Sequence, residues 1–319
     1  MAGRIYLPRE VQDSIRAHIG SAVGLAIDGY YSAEDDEDTL TGHLGAKLQI
    51  RNQKVDVPQA ELPGVWTWSI DYVKFRGRGG NAAETYLGAD GLFEIKVRGG
   101  RRVDQKSILF QAKKNGSAGR ELVEQCVRLS TWKEAAFVLN FTPEEFYGLS
   151  LDKTLSLART RGEDRLLIGQ PLAEFLSEEF LQCRVGDTDL RYDARAKRLL
   201  WRTQSNNLVQ TQFSIPQRIT LDIKPPQYQW DAFDGVTLIE NDEIHEHRMK
   251  ASAAEILGLD HGATVKELRA ARKTLSLAYH TDGRDWLVVD DLRHLNRRMQ
   301  EINDAYDQVE ERIKDKGFW

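Results

Sequence analysis

Residues 88–114 read GADGLFEIKVRGGRRVDQKSILFQAKK, and no other stretch constrains the fold so tightly. Two apolar runs, 92–97 and 106–112, flank a middle rich in glycine and charge, which predicts antiparallel strands joined by a turn near RGGRRVDQ. With residues 97 and 106 flanking the loop evenly, facing positions sum to about 203, so Asp90 is expected opposite Lys113 at the open end of the hairpin. Side chains alternate along a strand, so Gln111 and Lys113 share one face while Phe110 and Ala112 take the other. A lysine-protected edge strand fraying into solvent would also end in Gln-Ala-Lys-Lys. Asp90, in Gly-Ala-Asp-Gly, has the setting of an ordinary turn residue. The two bland readings each explain one residue, whereas convergence at one end of a hairpin explains Asp90, Gln111 and Lys113 together.

That convergence has a chemical use. A carboxylate and neighbouring amide or backbone carbonyl oxygens are the hard donors that Mg²⁺ prefers. Such an ion polarises a phosphodiester and helps activate water. A lysine beside it orients or deprotonates that water and offsets charge building on the phosphate. A second carboxylate is missing from the hairpin and is sought upstream. Leu40, Leu44 and Leu48 lie four residues apart and predict a helix over 37–48, with Glu37 on the same face as the leucines. An acid on the apolar side of a helix is expected to be paired or liganded, because an isolated buried charge is costly. Asp35, Asp36 and Asp38 crowd the same turn, where any acid gains from the helix dipole.

The arrangement resembles the PD-(D/E)xK, or restriction-endonuclease-like, nucleases. In those enzymes a helix acid, an Asp opening a strand and an acid-x-Lys on the next strand make the metal site. The matching residues are Glu37, Asp90, and Gln111 with Lys113 in FQAKK. Gln stands in place of the usual acid, as in the Mrr-like branch, and removes one negative charge from the site. The resemblance spans roughly residues 30–145. It implies a mixed sheet flanked by helices, Mg²⁺ (with Mn²⁺ able to substitute) held by Glu37, Asp90 and Gln111, and Lys113 acting on water. It places a supporting role on the following helix, at Gln125 or Glu121. Between Lys74 and Arg120 there are eleven Lys or Arg against four Asp or Glu, while residues 28–38 hold six acids and no base. Lys74, Arg76, Arg78, Arg98, Arg101, Arg102, Lys106 and Lys114 are therefore the candidate phosphate contacts for double-stranded DNA, giving salt-dependent affinity without sequence information.

From residue 250 onward the pattern is helical. TVKE at 264–267 has the form of a capping box, with Thr264 as N-cap and Glu267 reaching back. The helix VKELRAARKTLSLAY follows, with Arg269, Arg272 and Lys273 among its expected exposed positions. A loop then leads to a long helix striped by Leu292, Leu295, Met299, Ile302, Tyr306 and Val309. With AAEILGL in front, this resembles a J-domain, the co-chaperone module that engages DnaK-type chaperones. Its signature His-Pro-Asp loop stands here as His280, Thr281 and Asp282, and loss of the proline frees φ. The resemblance implies chaperone docking through these three residues and the basic face, or a J-fold reused for another partner such as an ATPase of the same system. A pairing with a nuclease suggests that the module restrains the enzyme or recruits that partner.

The expected organisation is a nuclease-like domain over 1–224 with an α+β extension over 146–224, a linker over 225–249 and the helical module over 250–319, an α/β fold followed by an all-α one. Two cysteines make no disulfide framework, and no stretch is apolar enough for a signal peptide or membrane span, so the cytoplasm is the expected compartment. A net charge of −5 argues against a globally basic nucleic-acid binder. The rival expectation is a non-enzymatic adaptor with a degenerate nuclease fold. His245 and His247 in the acidic linker lack a third ligand, and Trp66, Trp68, Trp132 and Trp201 are expected in the core. Homo-oligomerisation is left open.

Overall fold

A computed structural model describes residues 7–33, 36–58, 63–75, 88–99, 102–116, 120–130, 135–160, 167–193, 195–196, 198–202, 208–210, 215–226, 253–259, 262–280 and 289–316. The first helix, α1 (Arg9–Asp28), buries Val11, Ile15, Ile19, Ala22, Val23 and Ala26, the one-sided spacing of an amphipathic helix. A 3₁₀ turn (Tyr30–Ser32) leads to α2 (Glu37–Leu48), whose N-cap Asp36 accepts the Thr39 N–H at 2.6 Å. Leu40, Leu44 and Leu48 are buried as the spacing predicts.

Strands β1 (Ile50–Val57), β2 (Gly64–Lys74), β3 (Gly91–Gly99), β4 (Arg102–Lys114), β5 (Ala136–Phe141), β6 (Phe146–Ser150), β7 (Gln170–Pro171) and β11 (Gln217–Lys224) form one mixed sheet in the order β1-β2-β11-β3-β4-β5-β6-β7. Strand β11 runs antiparallel to β2 and parallel to β3. The sheet therefore extends well past residue 145, and the late strand β11 sits at its centre. Between the parallel strands β4 and β5 the chain passes through α3 (Arg120–Leu129), the crossover such a pair requires. Strands β8 (Leu190–Asp193), β9 (Arg198–Arg202) and β10 (Leu208–Gln210) make a separate three-stranded sheet, antiparallel throughout.

The large sheet is covered on both faces. On one, α1, α2 and α5 (Leu172–Glu174, continued by Phe175–Phe180) pack on Phe93, Ile95, Ile108, Phe110, Phe137 and Trp68. On the other, α3 and α4 (Leu151–Thr160) pack on Leu92, Leu109 and Val138. Trp66 and Trp68 are core residues, as expected. The C-terminal segment is helical: α6 (Ala253–Leu257), α7 (Val265–Tyr279) and α8 (Val289–Lys316). Thr264 and Glu267 form the reciprocal capping box at the start of α7. Leu268, Leu275, Leu295, Ile302 and Val309 join the same apolar cluster as α3 and α4, so these helices share a core with the sheet domain. Residues 227–252, with most of the expected linker and the His245/His247 pair, lie outside the described residues. Among the described residues no helix is long and apolar enough to cross a membrane.

Candidate functional site

The β3–β4 pairing runs from Gly99 opposite Arg102 to Gly91 opposite Phe110, so facing positions differ by two residues from the expected register. Val97 faces Asp104, not residue 106. Asp90, whose N–H donates to the Phe110 carbonyl at 2.8 Å, is thereby brought to Gln111 instead of Lys113. The shift is an even number, which leaves the faces unchanged. Leu109 packs with α3 on one side of the sheet while Phe110 and Ala112 pack with α2 on the other, so Gln111 and Lys113 project toward α3.

Asp90 and Gln111 meet directly. The Asp90 carboxylate accepts from Gln111 Nε2 and, at 2.7 Å, from the Ala112 N–H. Gln111 is 2% exposed, and its Nε2 also donates to the Ala112 carbonyl at 3.1 Å. Both contacts fix the amide with nitrogen toward two acceptors. Its Oε1 is buried with no hydrogen-bond partner among the described residues. Lys113 is half-buried beside α3. Burial pushes the Cys126 thiol of α3 up to about 12, with the Lys113 charge pulling against that shift.

Helix α3 supplies Gln125, 6% exposed, whose Nε2 donates to Glu121 Oε1 at 3.4 Å and whose own Oε1 is buried with no partner among the described residues. The link between this helix and Asp90 is Gly88. It has φ +69°, and a Cβ there would stand 2.7 Å from the Gln125 carbonyl oxygen. The chain entering β3 thus lies directly against α3 two residues before Asp90. The glycine in Gly-Ala-Asp-Gly was the available sign of this close approach.

Glu37 arrives from the opposite face of the sheet. Its Oε1 accepts weakly from the Lys114 N–H at 3.4 Å, one residue beyond Lys113. Its neighbours have other duties. Asp36 caps α2, and the Thr39 N–H holds its carboxyl below the ordinary aspartate value of 3.8. Asp38 pairs with Lys74 at 2.6 Å and accepts from Gln217 at 2.7 Å, while Gln217 accepts from the Tyr72 hydroxyl at 2.8 Å. Asp35 lies outside the described residues. Of the three described acids, Glu37 is the one that reaches β4.

The expected phosphate contacts divide. Lys106 is 1% exposed, its Nζ donating to the Phe180 carbonyl and lying 4.6 Å from that ring's centroid, so it is a core residue and no DNA ligand. It points to the opposite face from Gln111, because 106 and 111 differ by an odd number of residues. Lys74 is half-exposed but engaged by Asp38, and Arg98 by Asp222. Lys114 is half-buried beside α2. Arg76, Arg78 and Arg101 lie outside the described residues, and Arg102 enters as the backbone partner of Gly99. In the C-terminal helices, Arg269, Lys273 and His280 are exposed. Arg272 instead bonds Asn303 at 3.1 Å and lies 4.3 Å from the Tyr306 ring centroid, inside the helical hairpin, so it is not a free docking group. Thr281 and Asp282 lie outside the described residues.

The donors at the end of β4 suit a hard cation in kind: the Asp90 and Glu37 carboxylates and the Gln111 amide oxygen, which has no partner among the described residues. They fall short of an acidic cage, and among the described residues no group of three or more His, Cys, Asp or Glu is placed to hold a metal. No family model, no curated protein and no solved structure matches the chain. Its class rests on its own architecture, an α/β protein with a mixed eight-stranded sheet and a C-terminal helical region.

Proposed function

We propose that this protein is a Mg²⁺-dependent endonuclease of the restriction-endonuclease-like fold, of the Mrr-like Gln-x-Lys kind, hydrolysing phosphodiester bonds of double-stranded DNA. Bacterial anti-phage defence is the setting that this resemblance implies. The observation that carries the reading is the Asp90–Gln111 contact, which leaves a buried amide oxygen without a partner beside a carboxylate. Glu37, Asp90 and Gln111 would hold the ion, which when bound supplies Lewis-acid polarisation of the phosphodiester. Gln111 must turn its amide to present Oε1, since Nε2 now faces Asp90 and the Ala112 carbonyl. Lys113 contributes a positive charge where charge builds on the phosphate and an N–H donor that orients the attacking water. Gln125 and Glu121 support this face from α3. The C-terminal helices are read as a J-domain-like module that engages a DnaK-type chaperone or a partner ATPase through His280, Thr281, Asp282, Arg269 and Lys273.

The deciding experiment is plasmid cleavage in Mg²⁺ and in Mn²⁺ by the native chain, Asp90→Ala and Lys113→Ala. Cleavage lost by at least 100-fold in both variants is the expected result. Cleavage that survives both would place the chemistry elsewhere. One observation favours a second reading, a DNA- or protein-binding adaptor with a degenerate site: Gln111 Nε2 satisfies the Asp90 carboxylate with no ion needed. Binding of duplex DNA with no cleavage in either metal is what that reading expects.

A further inference from the structure

The C-terminal helices dock on the sheet domain through a charged contact set within an apolar interface. Asp152, in the first turn of α4 and 7% exposed, accepts the Tyr279 hydroxyl at 2.7 Å and pairs through its other oxygen with Arg298 of α8. The Arg298 guanidinium lies 5.6 Å from the Tyr279 ring centroid and donates to Glu301 at 2.8 Å. Gly258, just past α6, has φ +66°, and a Cβ there would lie 2.9 Å from the Asp152 carbonyl oxygen and the Lys153 Cα. The C-terminal helices and the turn after α6 thus converge on Asp152 and Lys153, the second and third residues of α4. Around them Leu122, Cys126 and Leu129 of α3, Leu155 of α4, and Leu268 and Leu275 of α7 belong to one apolar cluster.

A buried ion pair adds little net affinity over an apolar contact of the same shape, but removing one partner strands the other charge. Its use is in specifying one docked arrangement and in allowing that arrangement to open, because both charges regain water on separation. The helix next to this contact is α3, which carries Gln125 and lies against Gly88 at the entrance to Asp90.

We propose that Asp152, Tyr279 and Arg298 form a releasable latch whose closed state holds α3 in place against the Asp90–Gln111 site, so that docking of the C-terminal helices switches the site on. The consequence for cleavage rests on the nuclease reading, whereas the latch and its grip on α3 do not. These residues act by positioning, at a distance from the reacting atoms.

The test is hydrogen–deuterium exchange of the full chain, read peptide by peptide, for the native protein, Asp152→Ala, and the apolar triple Asp152→Leu/Tyr279→Phe/Arg298→Met. Asp152→Ala strands Arg298, and exchange in α3, α4 and α7 is expected to rise at least tenfold while β3–β5 stay protected. The triple restores native protection, because it removes the stranded charge along with the pair. Plasmid cleavage is expected to fall at least tenfold in Asp152→Ala and to return in the triple. If Asp152→Ala also exposes β3–β5, Tyr279→Phe replaces it, removing one hydroxyl and giving a smaller rise confined to the same helices. Native exchange in both Asp152→Ala and Tyr279→Phe, or a rise in α4 and α7 that leaves α3 protected, overturns the proposal. Exchange in α3 that follows the latch while no variant cuts DNA upholds the latch and overturns the nuclease reading instead.

Discussion

Gln111 answers to two demands. Its nitrogen satisfies Asp90 and the Ala112 carbonyl, while its oxygen is left buried without a partner. A glutamate there would set a second carboxylate against the first, and two such groups do not both ionise without a cation between them. Gln111→Glu is therefore expected to lower stability by roughly 1–3 kcal/mol in a chelator. Added Mg²⁺ should recover more of the melting temperature in this variant than in the native chain. Thermal melts with and without Mg²⁺ check it, and a variant indifferent to Mg²⁺ counts against an ion at this place. Asp36 gives a prediction with a defined pH sense. Its carboxyl is held below 3.8 chiefly by the Thr39 N–H, with the Thr39 hydroxyl adding to the effect. A lowered folded-state pKa means that the cap's contribution is full above the ordinary aspartate range and is lost as pH falls through the lowered value. Asp36→Ala should cost about 1 kcal/mol at neutral pH. Asp36→Asn keeps the cap and loses its acid sensitivity, which acid titrations of stability would show.

At the scale of elements, those with local punctuation were legible. Helix α2 follows from three leucines four residues apart, and α7 from its capping box, with bounds that match residue for residue. Strand β5 is AFVLNF, an unbroken buried run. The hairpin was legible in kind but not in register. RGGRRVDQ is so polar that it reads as a long turn, yet Arg98, Asp104 and Gln105 pair within strands and only two residues separate β3 from β4. A polar strand end and a loop have the same composition, and the difference lies in pairing across the sheet. Strands β1, β6 and β11 and helix α4 were not foreseen. In QRITLDIK of β11, the buried Ile219, Leu221 and Ile223 alternate with more polar residues, but nothing local places the strand between β2 and β3. Likewise the shared face of Gln111 and Lys113 was legible from alternation along one strand, whereas the partner of Asp90, Gln111 in place of Lys113, depended on the register. The burial of Lys106 was not, because it depends on the distant Phe180.

For the whole molecule, the boundary drawn from composition near residue 250 separates a mixed segment from a helical one but does not separate two cores. Leu155 of α4 and Leu275 of α7 belong to one buried cluster. A chain ended at residue 249 would expose the α3–α4 face to water. Losing several buried leucine contacts is expected to cost on the order of 3–5 kcal/mol, with a lower melting temperature and new binding of an apolar dye. A truncated chain that melts like the full one would show that the sheet domain needs no such cover.

Strand β11 has a consequence for how the protein comes into being. Every other strand of the large sheet, through residue 171, can be synthesised, and the parts β1–β2 and β3–β7 can each pair, while the sheet still stands open between β2 and β3. Only when residues 217–224 leave the ribosome do the two unpaired edges find their shared neighbour. A message cut short before that point yields a chain with two adhesive edges and an unfinished sheet, prone to aggregation. The sheet can thus be completed before the C-terminal helices, which follow β11 in the chain, have emerged to cover it.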